Sequence, residues 1–541
     1  MGKLGIIIPI EAIIYGVIWY FAQPAISLES LGFCGMIILA LIFIWIAAFS
    51  VIDDCMGNGA SILSWIAGGG VGVVIALILA MLLFTSPLFM AKSYAQLYED
   101  SLIVEKEMSE YKATLDNIPL TDKDTANKLI MRKMGSLKGD LVSQFNSGNP
   151  YQITYNGESY RVAPLVYAGF FQWKNNSTNG IPAYVKTNME TEETEIEYLE
   201  RGMKYSPSEM FGRDLKRYLR SNYPSAIFDE FSFELDEEGN PYWIAPVVEH
   251  KIGLFAGRDI KGVIVVNAIN GDHEYYDVDD TPEWVDNVYP TDILVEQYDY
   301  YGKYQDGFFN SVFAKKNATE TTDGYNYIPD DHDVNIYTGV TSLVMDESNV
   351  GFVLMNKRTK EATYYEYAGA EEYSAMSSAE GLVQQYGYTA TFPLLVNLEE
   401  EPTYYMALKD AGGLVKGYAL VNVQEYQKAV YADTLKEAIS KYLSVIGKNS
   451  NIETPENDGN IADNPVLPKN EYTKEITGIV KDIRMGDING TTYFYVALVD
   501  GYSYYKISLA ESEGIILLNM GDEVTLLTVE GDGEIINAKI K

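Results

Sequence analysis

The side chains that could do chemistry are few, and their spacing narrows that chemistry further. Asp330-Asp331-His332-Asp333 is the densest run of metal-ligand residue types. Successive residues of a strand point to opposite faces, so four neighbours seldom reach one ion, and the run reads first as an exposed acidic turn. Calcium is the ion that Asp330, Asp331 and Asp333 would take, because it accepts flexible carboxylate shells. Asp277-Val278-Asp279-Asp280 is a similar acidic turn. Neither run follows the calcium-loop template of alternating acids, a Gly and a distant Glu. No Gly-x-Ser-x-Gly elbow and no His-Glu-x-x-His pair occur, and Gly68-Gly69-Gly70 sits in an apolar run rather than before a phosphate-binding helix. The expectation is a chain that is not an enzyme and carries no cofactor other than that calcium.

Composition limits the function classes in the same direction. The chain has 541 residues, with 40 Lys+Arg against 76 Asp+Glu and a net charge of −36. That balance argues against a phosphate-backbone binder, which needs cations to release counterions, so no nucleic acid is expected. Two Cys build neither a disulfide framework nor a Cys-rich zinc site, and three His leave little for imidazole catalysis. The length calls for several domains.

The first 91 residues read as a membrane module. Leu4–Ala22 is apolar except for Glu11, Leu31–Ile52 is uncharged, and Ser61–Ala91 is again uncharged. About 20 apolar residues cross a bilayer core, so three N-terminal transmembrane helices are expected. Lys3 on the inner side puts the N-terminus in the cytoplasm and residues 92–541 outside the cell membrane. That outer part is Cys-free and acidic, which suits an extracytoplasmic location. Glu11 is an ionisable group inside a span with no basic partner in the other spans; it reads as an anchor or interhelical hydrogen bond, with a proton pathway as the sharper alternative. Gly68, Gly72, Ala76 and Ala80 recur every four residues on the third span, a spacing that lets helix backbones approach closely. The stripe packs either on the other two spans or on a second copy, which would make a homo-oligomer.

The elements beyond are mixed, and an α+β class is expected. Lys92–Leu115 lacks Gly and Pro and reads as a helical neck, 92–147 with the helix near Asp124–Gly135. Tyr160–Val166 resembles Tyr242–Val248, each with an Ala-Pro core, and Phe392–Val396 is a looser third copy. Glu209–Tyr223 reads as an amphipathic helix between Ser206/Ser208 and Pro224. Strands follow at Phe231–Leu235, Tyr242–Val248, Lys261–Ala268 and His273–Val278, with a hairpin at Asn270-Gly271. Residues 148–340 and 341–447 are thus two α+β regions, 448–470 is a Pro- and Asn-rich linker, and 471–541 holds five strand-like runs with a helical stretch near Glu513–Leu518.

A helix followed by a meander that ends in Gly262–Asp272 resembles a PepSY domain. In that family the last hairpin reads as a hydrophobic run, an Asp and a Thr-Gly-Glu-like turn; here Asn267 stands where the Asp is usual and Asn270-Gly271 keeps the turn. Gly351–Tyr367, with Asn356-Lys357-Arg358-Thr359-Lys360-Glu361 at its centre, is a second echo, so the resemblance covers 206–278 and part of 342–447. The whole chain is similar to bacterial multi-pass membrane proteins with PepSY-like repeats. The resemblance implies binding or inhibition of an envelope protein rather than catalysis, and supplies no catalytic residues. The C-terminal strand order is similar to an OB-fold, but 473–541 carries 6 basic and 11 acidic residues, the wrong sign for nucleic acid. The reading that gathers these features is a membrane-anchored, extracytoplasmic binding and scaffold protein that self-assembles. An accessory or inhibitor of an envelope hydrolase, and a transporter-like or enzymatic role through Glu11 or the acidic turns, are the alternatives.

Overall fold

Four turns of one chemistry organise the chain. Asn188, Asn267, Asn356 and Asn422 each end a strand, and each side-chain oxygen accepts from the backbone N–H groups two and three residues on. Such an amide turns the backbone locally, which favours Asn at these places. Gly271, with φ 82°, completes the second turn; a Cβ there would lie 2.5 Å from the Tyr205 ring, so a side chain does not fit.

The structure, a computed structural model, describes residues 4–54, 58–111, 113, 121–139, 141–330, 333–448, 474–488, 491–499, 503–508, 512, 515, 518–528 and 535–541. It divides into one unit over Met1–Gly459 and a second over Asn460–Lys541.

Within the first, each Asn turn belongs to a repeated unit: a helix, two short strands and a three-stranded meander. The first unit runs from the helix Lys123–Met134 through strands Phe145–Ser147, Tyr151–Tyr155, Glu158–Tyr167, Ile181–Asn188 and Thr194–Met203. The second has the helix Leu215–Asn222 and strands Ile227–Phe228, Ser232–Leu235, Pro241–Ile252, Ala256–Asn267 and His273–Asp277. The third has Thr291–Tyr304, then Thr319–Thr321, Asn326–Asp330, Asp333–Ser342, Met345–Asn356 and Ala362–Ala370. The fourth has Glu372–Leu382, then Thr389–Ala390, Leu394–Leu398, Glu401–Lys409, Val415–Asn422 and Ala429–Ala432. In all four, both short strands pair with the same first long strand.

The break between the short strands explains the prolines. One backbone bond spans it in each unit, to the carbonyls of Pro164, Pro246, Gly339 and Ala407 from Gly148, Asp229, Thr322 and Thr391. A strand residue's N–H and C=O face the same side, so the absent proline N–H falls where the ladder is already interrupted. The looser copy expected at Phe392–Val396 therefore differs: it lies on the second short strand, and the residue equivalent to Pro164 and Pro246 is Ala407.

The expected helical neck is also replaced. The helix Pro87–Ala95 ends early, and Ile103–Lys106 joins the third sheet as a strand parallel to Ala362–Ala370. Buried Tyr98 and Tyr111 fix this segment by donating to Lys360 O at 2.5 Å and Leu395 O at 2.7 Å. Cross-strand partners and aromatic burial thus override the helical reading of Lys92–Leu115.

The three N-terminal helices are α1 (Leu4–Ala22), α2 (Leu31–Asp54) and α3 (Asn58–Phe84). They do not support the expected three spans. Among the described residues no single helix is long and apolar enough to cross a membrane. The described apolar stretches Ile6–Ala22 and Leu31–Ala47 each give about 25 Å of helix, short of a hydrocarbon core of ~30 Å. The third, Gly68–Phe84, meets the length only together with Pro87–Ala95, across a 55° bend. The fold is mixed helix and sheet, and three transmembrane helices are not part of it.

The C-terminal unit is a closed five-stranded barrel, ordered Lys474–Ile488, Thr491–Leu498, Tyr504–Ser508, Ile535–Ile540 and Glu523–Thr528. Val480, Val496, Ile507 and Leu526 fill it. Most of the helical stretch expected at Glu513–Leu518, and the linker from residue 449 on, fall outside the described residues.

Candidate functional site

The four units can be compared residue by residue, and two positions break the pattern. The residue after each turn Asn donates its N–H to the first long strand: Met189 to Ser159, Ala268 to Pro241, Lys357 to Val334 and Val423 to Pro402. All four side chains are buried, yet only Lys357 is charged. Four places before the break carbonyl on the first long strand stand Tyr160, Tyr242, Asn335 and Thr403, and the residues of the second short strand opposite them are Ile153, Glu234, Ile328 and Val396. Again all four are buried and only Glu234 is charged. Two core positions that are aliphatic elsewhere thus carry opposite charges, one in the second unit and one in the third.

A buried charge costs several kcal/mol unless its surroundings satisfy it. Glu234 is satisfied by neighbours. Its Oε1 accepts from Asn287 Nδ2 at 2.8 Å, Ser232 Oγ at 2.9 Å and Asn287 N at 3.1 Å, and Oε2 accepts from Asp286 N at 2.8 Å. Because the Asn287 amide NH2 faces Glu234 and Gln152 O, its oxygen faces the other way and accepts from Lys357 Nζ. Asp286 lies beside this pair, buried; its Oδ2 accepts from Thr154 N at 2.6 Å, while Oδ1 has no hydrogen-bond partner.

Electrostatics follow from this geometry. Burial pushes the Asp286 carboxyl well up, and nearby Glu234 pushes it further. Burial raises Glu234 as well, against the hydrogen bonds from Asn287, Asp286 and Ser232 and the charge of Lys357. Burial pushes the Lys357 ammonium down to about 8. Glu234, Asp286 and Tyr325 oppose that shift, and Arg161, a like charge, adds to it.

Lys357 closes one side of a cavity of about 440 Å³ where three units meet. The first unit contributes Tyr151, Gln152 and Arg161, the second Ser232 and Pro246, the third Tyr325 and Tyr327, and the connecting segment Asn287. Arg161 and Lys357 both lie near the Tyr327 ring, at 5.7 and 5.3 Å from its centroid. Glu230, Asp292 and Lys123 also line it, and Asp292 is paired with Arg258 at 3.0 Å. A polar cavity with three cationic side chains and several amide and phenol groups can hold a small polar molecule and orient it.

The sequence-derived candidates lie elsewhere. Asp333 is held by Arg358, Nε to Oδ1 at 2.6 Å and Nη2 to Oδ2 at 2.8 Å, and also accepts from Asn356. Asp330 pairs with Asp333 in the strand register, its side chain is not described, and Asp331 lies outside the described residues. Among the described residues no group of three or more His, Cys, Asp or Glu could hold a metal ion. Asp279 and Asp280 sit in the turn Val278–Asp280. Glu11 is half-buried in α1, and its Oε1 makes no hydrogen bond. On α3, Gly68 faces the Trp45 ring of α2, 3.2 Å from where a Cβ would stand, whereas Gly72 and Ala76 are exposed and Ala80 is half-buried. The stripe is thus divided between α2 and open surface.

Sequence reasoning placed Lys357 in a hairpin turn and did not single it out; Glu234 and Asn287 carried no signal of their own. Aligning the four Asn turns would have marked Lys357, because the text after each Asn reads Met, Ala, Lys and Val.

No family model matches the chain, and no curated protein matches it. Two solved structures show a faint likeness: a chimera of apocarotenoid oxygenase and RPE65 (10% identity, TM-score 0.16) and a Synechocystis apocarotenoid oxygenase variant (8% identity, TM-score 0.16). Each match covers 54% of this chain, which spans 62% and 65% of those two chains. A likeness of that size carries no argument about fold or function.

Proposed function

We propose that this chain is a non-enzymatic binding and scaffold protein of the cell envelope, held at a lipid surface by its N-terminal helices with residues 92–541 on the outer side, and that its copies associate. The observation behind this reading is the apolar surface of α1–α3. Phe21 is 74% exposed, Trp65 81%, Ile66 66% and Leu77 64%, among many neighbours of the same kind. Soluble monomers rarely leave so continuous an apolar surface in water, which marks a lipid or protein contact. Gly72 and Ala76 add a shallow strip on which a helix of a second copy can approach closely. Four like units suit a scaffold.

The test is the full-length chain in detergent, weighed by mass photometry. Particles of more than one copy are expected, and a uniform single-copy particle would sink the assembly. Complete recovery of the chain in a detergent-free soluble fraction would sink the lipid attachment.

A further inference from the structure

The cavity at the junction of the first three units goes beyond that reading and does not rest on lipid attachment. Its origin is visible in the repeat itself. Where the other units bury Met189, Ala268 and Val423, the third buries a lysine; where they bury Ile153, Ile328 and Val396, the second buries a glutamate. A lysine at an aliphatic core position is costly to keep, and the structure surrounds it with devices that aim it. Glu234 holds the Asn287 amide so that its oxygen faces Lys357. An ammonium has three donors. Asn287 takes one, the only hydrogen bond that Nζ makes among the described residues. Lys357 is 6% exposed and lines the cavity, with Nζ 5.3 Å from the centroid of the Tyr327 ring, another lining residue.

The chemistry of the occupant follows from charge. Lys357 and Arg161 share the Tyr327 ring as neighbours, and two like charges at one wall repel. An anion on Lys357 offsets that repulsion. Lys123 and the carboxylates of Glu230 and Asp292 also line the cavity, Asp292 paired with Arg258, and the chain carries −36, so a singly charged anion is favoured over a doubly charged one. The walls offer tyrosine rings and the Gln152 amide to the body of the ligand. A volume of about 440 Å³ holds a molecule of several to a dozen or so non-hydrogen atoms with water. We infer that this cavity is a binding site for a small organic monocarboxylate, such as an amino acid derivative or a hydroxy or sugar acid, with the carboxylate on Lys357 and its body against Tyr327 and Gln152.

The experiment uses the full-length, detergent-extracted chain. N-acetylglycine, lactate and gluconate are titrated by calorimetry and by thermal shift, with N-acetylglycinamide and inorganic phosphate as controls. At least one carboxylate is expected to bind and to raise the melting temperature, and the amide and phosphate are not. Lys357→Met should fold, since Met189 fills the same position in the first unit, and should weaken the bound carboxylate about ten- to a hundredfold, the loss of one charge-assisted hydrogen bond. Gln152→Ala, at a second wall, should weaken it less. Failure of all three carboxylates, undiminished binding in folded Lys357→Met, or tighter binding of phosphate would each overturn the assignment. The copy number by mass photometry is independent of these results, so the two readings fail separately.

Discussion

Lys357 and Lys360 stand three residues apart in one turn, and both are buried. Lys360 has a carboxylate and a carbonyl for partners: its Nζ donates to Asp259 Oδ1 at 2.9 Å and to Leu97 O at 3.0 Å. Its φ of 66° places it where Glu192 and Gly271 stand in the first two units, and it ties the segment after the N-terminal helices to the third sheet. Lys357 has one amide oxygen and a cavity. Burial pushes both ammonium groups down, but Lys360 is held up by a carboxylate in contact, whereas Lys357 reaches Glu234 only through Asn287. A buried lysine with its own carboxylate fastens two segments together. A buried lysine held by a neutral amide keeps donors for something else.

The comparison can be broken in several ways, and the largest effect is expected at Glu234. Glu234→Ala orphans the N–H groups of Asp286 and Asn287, frees the Asn287 amide and leaves Lys357 uncompensated, so a loss of about 3–5 kcal/mol is expected from urea unfolding. A loss under about 1 kcal/mol would show that the network does not orient Lys357. Asp259→Ala, which strips Lys360 of its carboxylate, should cost about 3 kcal/mol by the same measurement. Pairing it with Lys360→Met in a double-mutant cycle should return a coupling of about 1–3 kcal/mol; independence would remove the fastening role.

Lys357→Met sharpens the contrast through pH. The ammonium has a folded pKa of about 8 and an unfolded value near 10.4. Below about pH 8 both states hold the proton and the burial penalty is present in full. Between about pH 8 and 10.4 the unfolded chain holds more protons, so stability rises with pH, by up to about 3 kcal/mol. Wild type minus Lys357→Met should therefore climb over that window, and a flat difference would place Lys357 in a wetter site. At pH 7 the variant should lie within about 1 kcal/mol of wild type or above it, as methionine suits the first unit. The smallest effect is expected at Gly72→Leu on the open side of α3: stability within about 0.5 kcal/mol, with a lower copy number by mass photometry.

Parts of this were legible in the residues. Asn270-Gly271 announced its hairpin, and the related Pro-containing strands at Pro164 and Pro246 announced a repeated unit. The full set of four was not, because the third and fourth units replace that proline with Gly339 and Ala407, and a break in pairing tolerates any of the three. The segment 92–115 misled: helix-compatible residues such as Leu102 and Val104 become strand once a sheet edge is offered. The apolar helices misled for another reason, since composition counts residues but not where a helix bends. The acidic turn at Asp330–Asp333 drew attention because its residues are adjacent, whereas Arg358, which holds Asp333, lies on the next turn.

The sequence by itself determined the alternation of apolar residues, the Asn270-Gly271 turn and the uneven distribution of charge, because each is written in residues a few places apart. Tertiary structure decided which charged residues are buried. Lys357 and Glu234 are ordinary letters in a hairpin turn and a short strand, and they become a site because three units pack around them and leave a cavity. Burial of an ionisable group is a property of the contacts that exclude water, and those contacts come from residues distant along the chain.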